Sequence, residues 1–255
     1  ITNRPLLAVI LANFFNSFKS VGGSSESYFW LNNTGSLLNQ TICGLFTGIP
    51  NYIMVPVAAK MVKKWGARAT SIIAGLFGFF AYMTLFFVGF HPFGQTFKDH
   101  YIFNLIWVIF GLTICGLPNK ILNVSGQIVT AEALDYMEWK HGLRNEALVT
   151  TVQGYFGKLA TSVTGWLSGM VLTWINYVPL TDSLGNAIPQ TDPTMLNGIW
   201  AVFCILPALA RGLYGISFII YPIHGDLQQQ MIVELAEKRA QRLAEQDAKD
   251  HQANA

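Results

Sequence analysis

Six runs of the chain stay predominantly apolar for the length of a bilayer crossing: Leu6–Leu31, Gly44–Val62, Ser71–Phe90, Tyr101–Ala131, Ala147–Tyr177 and Asn197–Tyr221. A spanning helix needs roughly 20 such residues. Barrel strands would alternate apolar and polar positions over about ten residues, and these runs do not. The pattern predicts an all-α, polytopic membrane protein with six transmembrane helices. After Tyr221-Pro222 the chain turns polar, with Leu227, Met231, Val233, Leu235 and Leu243 set in a charged background. That spacing predicts a helical tail, and Glu245–Ala255 is expected to be disordered. Residues 1–224 are thus expected to form the bundle and residues 225–255 the tail.

Polar residues within and between the runs narrow the picture. A short hinge between the fourth and fifth runs gathers Glu132, Asp135, Glu138, Lys140, His141, Arg144 and Glu146. In the first run Asn16, Lys19, Gly23 and Glu26 recur at three- and four-residue spacing and share one helical face. Lys19 and Glu26 lie two turns apart and can neutralise each other, directly or through a partner. Such a face either packs on neighbouring helices or lines an aqueous cavity; the cost of two ionisable groups in lipid favours the cavity. The fourth run is interrupted by Gly116-Leu117-Pro118-Asn119-Lys120, where proline removes a backbone donor. A simple kink with Lys120 snorkelling fits this segment, and so does an irregular stretch lining a cavity. Asn123, Ser125 and Gln127 carry the polar character on toward the hinge.

The fifth run is more informative. Gly154, Lys158, Thr161, Gly165, Ser168 and Gly169 form a small and polar stripe, opposite an apolar face of Val152, Phe156, Leu159, Val163 and Trp166. Gly165 and Gly169 have the spacing of a close helix contact. Lys158 lies on the stripe; a lysine paired with a carboxylate for packing is the plain reading. An inward intramembrane lysine is by default a functional one, which is the reading preferred.

Composition agrees with the membrane assignment. Only 12% of the 255 residues are charged and 52% are hydrophobic, with a mean hydropathy of +0.38; a soluble domain carries about a quarter charged residues. A net charge of +2 from dispersed basic residues gives no nucleic-acid footprint. Cys43, Cys115 and Cys204 each lie within an apolar run, which points to packing rather than disulfides or metal. Arg4, then Lys60, Lys63, Lys64 and Arg68, then Lys140 and Arg144, then the tail hold most of the basic residues. The alternate loops Asn32–Gln40, His91–His100 and Val178–Leu196 hold only Lys98. The positive-inside rule therefore predicts that both ends of the segment are cytoplasmic. The chain opens at Ile1 without methionine or a leader pattern, as expected of the interior of a longer polypeptide.

Three motifs point further. They are Asn3-Arg4-Pro5-Leu6-Leu7, the basic turn Lys64-Trp65-Gly66-Ala67-Arg68, and Ala131-Glu132-Ala133-Leu134-Asp135-Tyr136-Met137-Glu138-Trp139-Lys140. The last is followed by Gly142, Arg144, Val152-Gln153 and Lys158. Together they resemble the C-terminal half of a glycoside–pentoside–hexuronide cation symporter, the melibiose-carrier branch of the major facilitator superfamily. The resemblance covers the six runs and the start of the tail.

It implies one half of a major-facilitator fold, with a sugar near the midplane between two six-helix bundles and access alternating by rocking. By resemblance, Glu132, Asp135, Glu138 and Arg144 match cytoplasmic gating ion pairs, and Lys158 matches a lysine coupling cation and sugar sites. Gln153 matches a cavity position whose amide can bond hydroxyls. Glu132 stands where the melibiose carrier has aspartate, Asn123 where it has a sugar-contacting tryptophan, and Gly154 where it has threonine, which sets melibiose itself aside. Asn123 and Gly154 remain substrate-side positions; Asn16, Lys19, Glu26 and Lys120 are cavity-lining candidates. The implied partners are a small sugar or glycoside, an N-terminal six-helix half and the lipid bilayer. No metal or organic cofactor is implied, and the Na⁺, Li⁺ or H⁺ site is expected mainly in the N-terminal half.

The competing classes are an intramembrane enzyme and a non-transporting or lipid-handling protein on the same bundle. Asn123-Val124-Ser125-Gly126 has no histidine on a facing run, and Glu138-x-x-His141 is half a di-metal motif without its second copy. No enzyme is expected.

Overall fold

A computed structural model describes residues 3–89, 97, 100–184 and 187–253. Phe90 and Lys98, which the sequence pattern puts at the end of the third run and in the loop after it, lie outside these residues, as do Asn254 and Ala255. The first run forms two helices, α1 (Arg4–Ser17) and α2 (Lys19–Thr34). Asn3 starts α1 by accepting the Leu6 amide at 3.1 Å, and Pro5 sits in the first turn, where no helical donor is lost. The junction at Phe18 is one turn tightened to three-residue spacing: the Phe18 amide reaches the Phe15 oxygen at 3.0 Å and the Val21 amide reaches Phe18 at 3.2 Å.

The next element, α3 (Leu38–Val88), is two helices joined at Gly66, whose φ of 81° and ψ of 161° belong to a region open essentially to glycine. The chain folds back there, because Cys43 and Leu85 share one core while Ala58, Ala67 and Ala74 share another. Then come α4 (Tyr101–His141), α5 (Glu146–Trp174), α6 (Pro193–Ser217) and α7 (Asp226–Ala253). A small antiparallel hairpin, β1 (Leu180–Thr181) with β2 (Ala187–Ile188), folds the loop before α6.

Residues 4–34, 38–88, 101–141 and 193–217 are helical stretches long and apolar enough to cross a membrane, and the second of them crosses twice by folding back at Gly66. The 29 residues of α5 span about 44 Å at 1.5 Å per residue, also sufficient; its glycine, serine, threonine and lysine content keeps it less apolar. The protein is a multi-pass helical membrane protein.

Three expectations change. Proline does not interrupt the fourth run, since α4 continues through Pro118. Pro118 is buried, Gly116 lies so close to Asn51 of α3 that a Cβ would sit 2.7 Å from its Nδ2, and Asn119 is bonded from α6. These neighbours hold the helix through the missing donor. The polar hinge is also mostly helix. At 41 residues, α4 is about 60 Å long, longer than a bilayer of about 45 Å with its headgroups, so its last turns carry Glu132–His141 beyond the apolar body. Finally, α7 stays helical to Ala253 instead of losing order after Glu245.

Packing divides the body by depth. One apolar core, including Ala8, Ala12, Leu122, Val129, Tyr214 and Phe218, lies toward the end that carries Arg4, Gly66 and His141, called here the basic end. A second, with Phe29, Trp30, Leu85, Val108, Trp200 and Phe203, lies toward the other; Phe29 and Phe203 stack there at 4.8 Å. Between them runs a belt of polar side chains, Asn16, Lys19, Asn51, Asn119 and Arg211. Helices α3 and α6 meet backbone to backbone at Gly75, where a Cβ would lie 2.7 Å from Gly215 Cα and 2.9 Å from the Arg211 oxygen. At the basic end Arg68 donates to the Phe218 oxygen at 3.1 Å and the Ile219 oxygen at 3.0 Å, closing the C-terminal end of α6.

Gly66→Ala is expected to destabilise the protein by about 1–3 kcal/mol through backbone strain. Gly75→Ala is expected to do so by about 1–3 kcal/mol through overpacking. Thermal unfolding in detergent checks both, against Gly48→Ala, whose added Cβ meets nothing within 4 Å and which should leave the midpoint unchanged.

Candidate functional site

Three clusters of polar side chains lie along the body, and the first is at the basic end. Asp135 and Glu138 are three residues apart on α4 and share a face. The helix ends at Gly142 in the left-handed conformation (φ 72°), its amide bonded to the Glu138 oxygen at 2.8 Å. The chain then turns back, which brings Arg144 to 2.9 Å from Asp135, 3.8 Å from Glu138 and 2.7 Å from Glu146. Asn145 begins α5 by accepting the Leu148 amide at 2.9 Å.

The tail completes this cluster. Arg239 of α7 bonds Asp135 at 2.8 Å and Glu138 at 2.5 Å, and Arg242 lies 3.5 Å from Glu138. Trp139 donates to Glu234 at 2.7 Å, and Lys238 donates to the Trp139 oxygen at 3.2 Å. The Glu138 and Asp135 carboxylates hold Arg239 above the usual guanidinium range, and Glu146 does the same for Arg144. Hydrogen bonds from Gln230 and Trp139 hold the Glu234 carboxyl below its usual range. Glu132 stands apart from these ion pairs. It accepts hydrogen bonds from Tyr221 and from Gln228, each at 2.7 Å, because at its level the tail presents a glutamine instead of an arginine.

A second cluster opens on the side of the body. Asn13 and Asn16 of α1, Asn123, Gln127 and Thr130 of α4, and Gln153 of α5 line a cavity of about 500 Å³ with Tyr214 behind it. That volume is within the range of small-molecule sites, about 300–1,000 Å³. The sequence candidates Asn123, Gln153 and Asn16 meet here. The Gln153 Nε2 is enclosed and has no acceptor among the described residues, which is unusual for a buried polar group. Gly154 is exposed and does not line the cavity.

The third cluster lies between α2, α3, α4 and α6. Lys19, Glu26, Asn51, Asn119 and Arg211 border a cavity of about 340 Å³. Lys19 and Glu26 form no ion pair within 4.0 Å of each other among the described residues; Glu26 instead accepts from Trp30 Nε1 at 3.5 Å. They are seven positions apart, and neither side chain closes that gap. Lys120 does not line this cavity: its ammonium lies 4.5 Å above the Tyr52 ring. Arg211, 1% exposed, was not among the sequence candidates. The available signal was that it is the one charged residue in Asn197–Tyr221.

Lys158 is exposed on α5 with no ion pair among the described residues, and Gly154, Gly165 and Gly169 have open space where a Cβ would stand. The predicted apolar face of α5 is not its packed face either: Phe156, Leu159 and Trp166 are exposed. What α5 buries against α1 and α2 is the row Val149, Ala160, Thr164 and Val171, lying between the two. Ser125 is buried and accepts from Ser71 at 2.9 Å, as a packing hydroxyl does.

Comparison with known proteins agrees with this architecture. The family described as MFS/sugar transport protein matches residues 1–225. An uncharacterized symporter of Bacillus subtilis is 29% identical over 93% of this chain and 48% of its own length. An isoprimeverose transporter of Lactiplantibacillus pentosus is 29% identical over 46% of the chain and 23% of its own length. A glucuronide carrier protein homolog of Escherichia coli is 22% identical over 93% of the chain and 48% of its own length. The chain thus spans about half the length of the longest-matched of these relatives. These are transporters, not enzymes, and the multi-pass helical chain belongs to the MFS/sugar transport protein family.

Proposed function

We propose that the chain is the C-terminal half of a secondary active transporter, which takes up a sugar or glycoside with Na⁺, Li⁺ or H⁺ by alternating access. The observation that carries this reading is the carboxamide-lined cavity, open on one side of the body, with the unpaired Gln153 Nε2 among its lining residues. Side-chain amides both donate to and accept from hydroxyls. A second six-helix half, absent from this chain, closes the open side, consistent with relatives about twice as long. The printed names of a symporter and an isoprimeverose transporter support gradient coupling and a sugar substrate.

In this reading the basic end faces the cytoplasm, following the positive-inside rule. Asn123 and Gln153 bond the sugar, and Lys158 meets the other half across the exposed face of α5 to couple the cation and sugar sites. The Asp135–Glu138–Arg144 cluster, extended by Arg239, closes the inner side. Rocking exchanges its ion pairs for hydrated charges, and the ligands shift the balance by binding one state better.

Vesicles containing the complete transporter are expected to concentrate a labelled sugar above the external level under an imposed cation gradient. Uptake that only equilibrates would overturn the coupling. Gln153→Ala is expected to raise KM about tenfold, the loss of one to two kcal/mol from a buried hydrogen bond, at unchanged expression. Lys158→Ala should abolish concentrative uptake while sugar exchange persists. Trypsin should cut the tail at Lys238 and Arg242 in inside-out vesicles only, and faster in Arg239→Gln, where α7 has lost its bonds to Asp135 and Glu138.

A further inference from the structure

Arg211 is the least expected charge in the body. It is 1% exposed, in the C-terminal half of α6, and lies within 4.0 Å of no carboxylate among the described residues. Its Nη1 donates to Asn16 Oδ1 at 3.0 Å and its Nη2 to Asn119 Oδ1. Its Nε is enclosed and has no acceptor among the described residues. Two amide oxygens solvate the guanidinium without neutralising it, and an enclosed charge without a counter-charge is costly. The cavity that Arg211 borders has two cationic side chains, Lys19 and Arg211, against one acidic side chain, Glu26. Its formal charge is therefore positive by one. Asn51 of α3, which also lines the cavity, has an enclosed Oδ1 with no donor among the described residues.

We infer that this cavity is a subsite for a monovalent oxyanion, a carboxylate or sulfonate, held between Lys19 and Arg211. The free Arg211 Nε and the Lys19 ammonium supply charge-assisted donors. Asn51 Oδ1 accepts a hydroxyl next to the acid group. Arg211 connects this cavity to the carboxamide cavity, because Asn16, which accepts its Nη1, lines the latter. An acid group borne by the sugar and a small free anion share this chemistry; the first source rests on the sugar-site reading above, the second does not.

The test uses the complete transporter in proteoliposomes, with D-glucuronate, D-glucose and formate as probes. Lys19→Gln is the main variant, since Lys19 is half-buried and makes no ion pair among the described residues; Arg211→Gln is the second. For a sugar-borne acid, Lys19→Gln raises the KM for glucuronate about tenfold or more, the loss of a charged hydrogen bond, and changes glucose uptake less than threefold. For a free anion, millimolar formate raises the unfolding temperature of the wild type and leaves that of Lys19→Gln unmoved. Equal changes for glucuronate and glucose, together with equal formate responses in the two proteins, overturn the subsite. Accumulation of neither sugar alongside a formate response lost in Lys19→Gln overturns the sugar-transport reading and leaves the subsite standing.

Discussion

A charge enclosed in a bilayer-spanning bundle persists only where protein, water or a ligand compensates it, and the middle of this body is built around one such charge. Arg211 projects from α6 to Asn16 of α1 and Asn119 of α4, tying three helices together at mid-depth. The contact requires close helices, and the Gly75–Gly215 seam supplies that closeness between α3 and α6. Apolar cores on either side then seal the belt from both ends. The two cavities lie on either side of this tie: the carboxamide cavity toward the basic end, along Leu122–Thr130 of α4, and the other toward the opposite end, along Leu112–Asn119.

At the basic end the compensation is of another kind. Asp135, Arg144 and Arg239 have side chains between 32% and 42% exposed, and a single exposed ion pair contributes only about 0–1 kcal/mol. Glu138 is different, with 6% of its side chain exposed and three arginines within 4.0 Å. One enclosed carboxylate thus organises a set of individually weak bonds from a turn and from a separate helix. Such a set is firm while all members are in place, and each bond separates at small cost once water enters.

The fifth helix shows how a helical pattern is misjudged when the partner surface is not known. Its small and polar stripe and its apolar face both lie exposed, while a modest row of Val149, Ala160, Thr164 and Val171 takes the contact with α1 and α2. Periodicity tells which residues share a face; it does not tell which face has a neighbour, because lipid and protein accept the same apolar side chains.

Run length and hydropathy by themselves established the membrane class, the helical fold and the positions of the crossings, since the bilayer imposes a minimum apolar length wherever the chain crosses. The spacing of Asp135, Glu138 and Arg144 marked a charged cluster, because a helix turn and a glycine stop bring such residues together locally. The association of Asn123 with Gln153 was carried by the family resemblance. Only the tertiary structure brought in Arg239 and Arg242, about a hundred residues along the chain from Glu138, and withdrew Glu132 to Tyr221 and Gln228. It alone showed α4 continuous through Pro118 and Arg211 short of a counter-charge. These outcomes depend on which helices come side by side, and that is fixed by packing between distant segments, which no local pattern encodes.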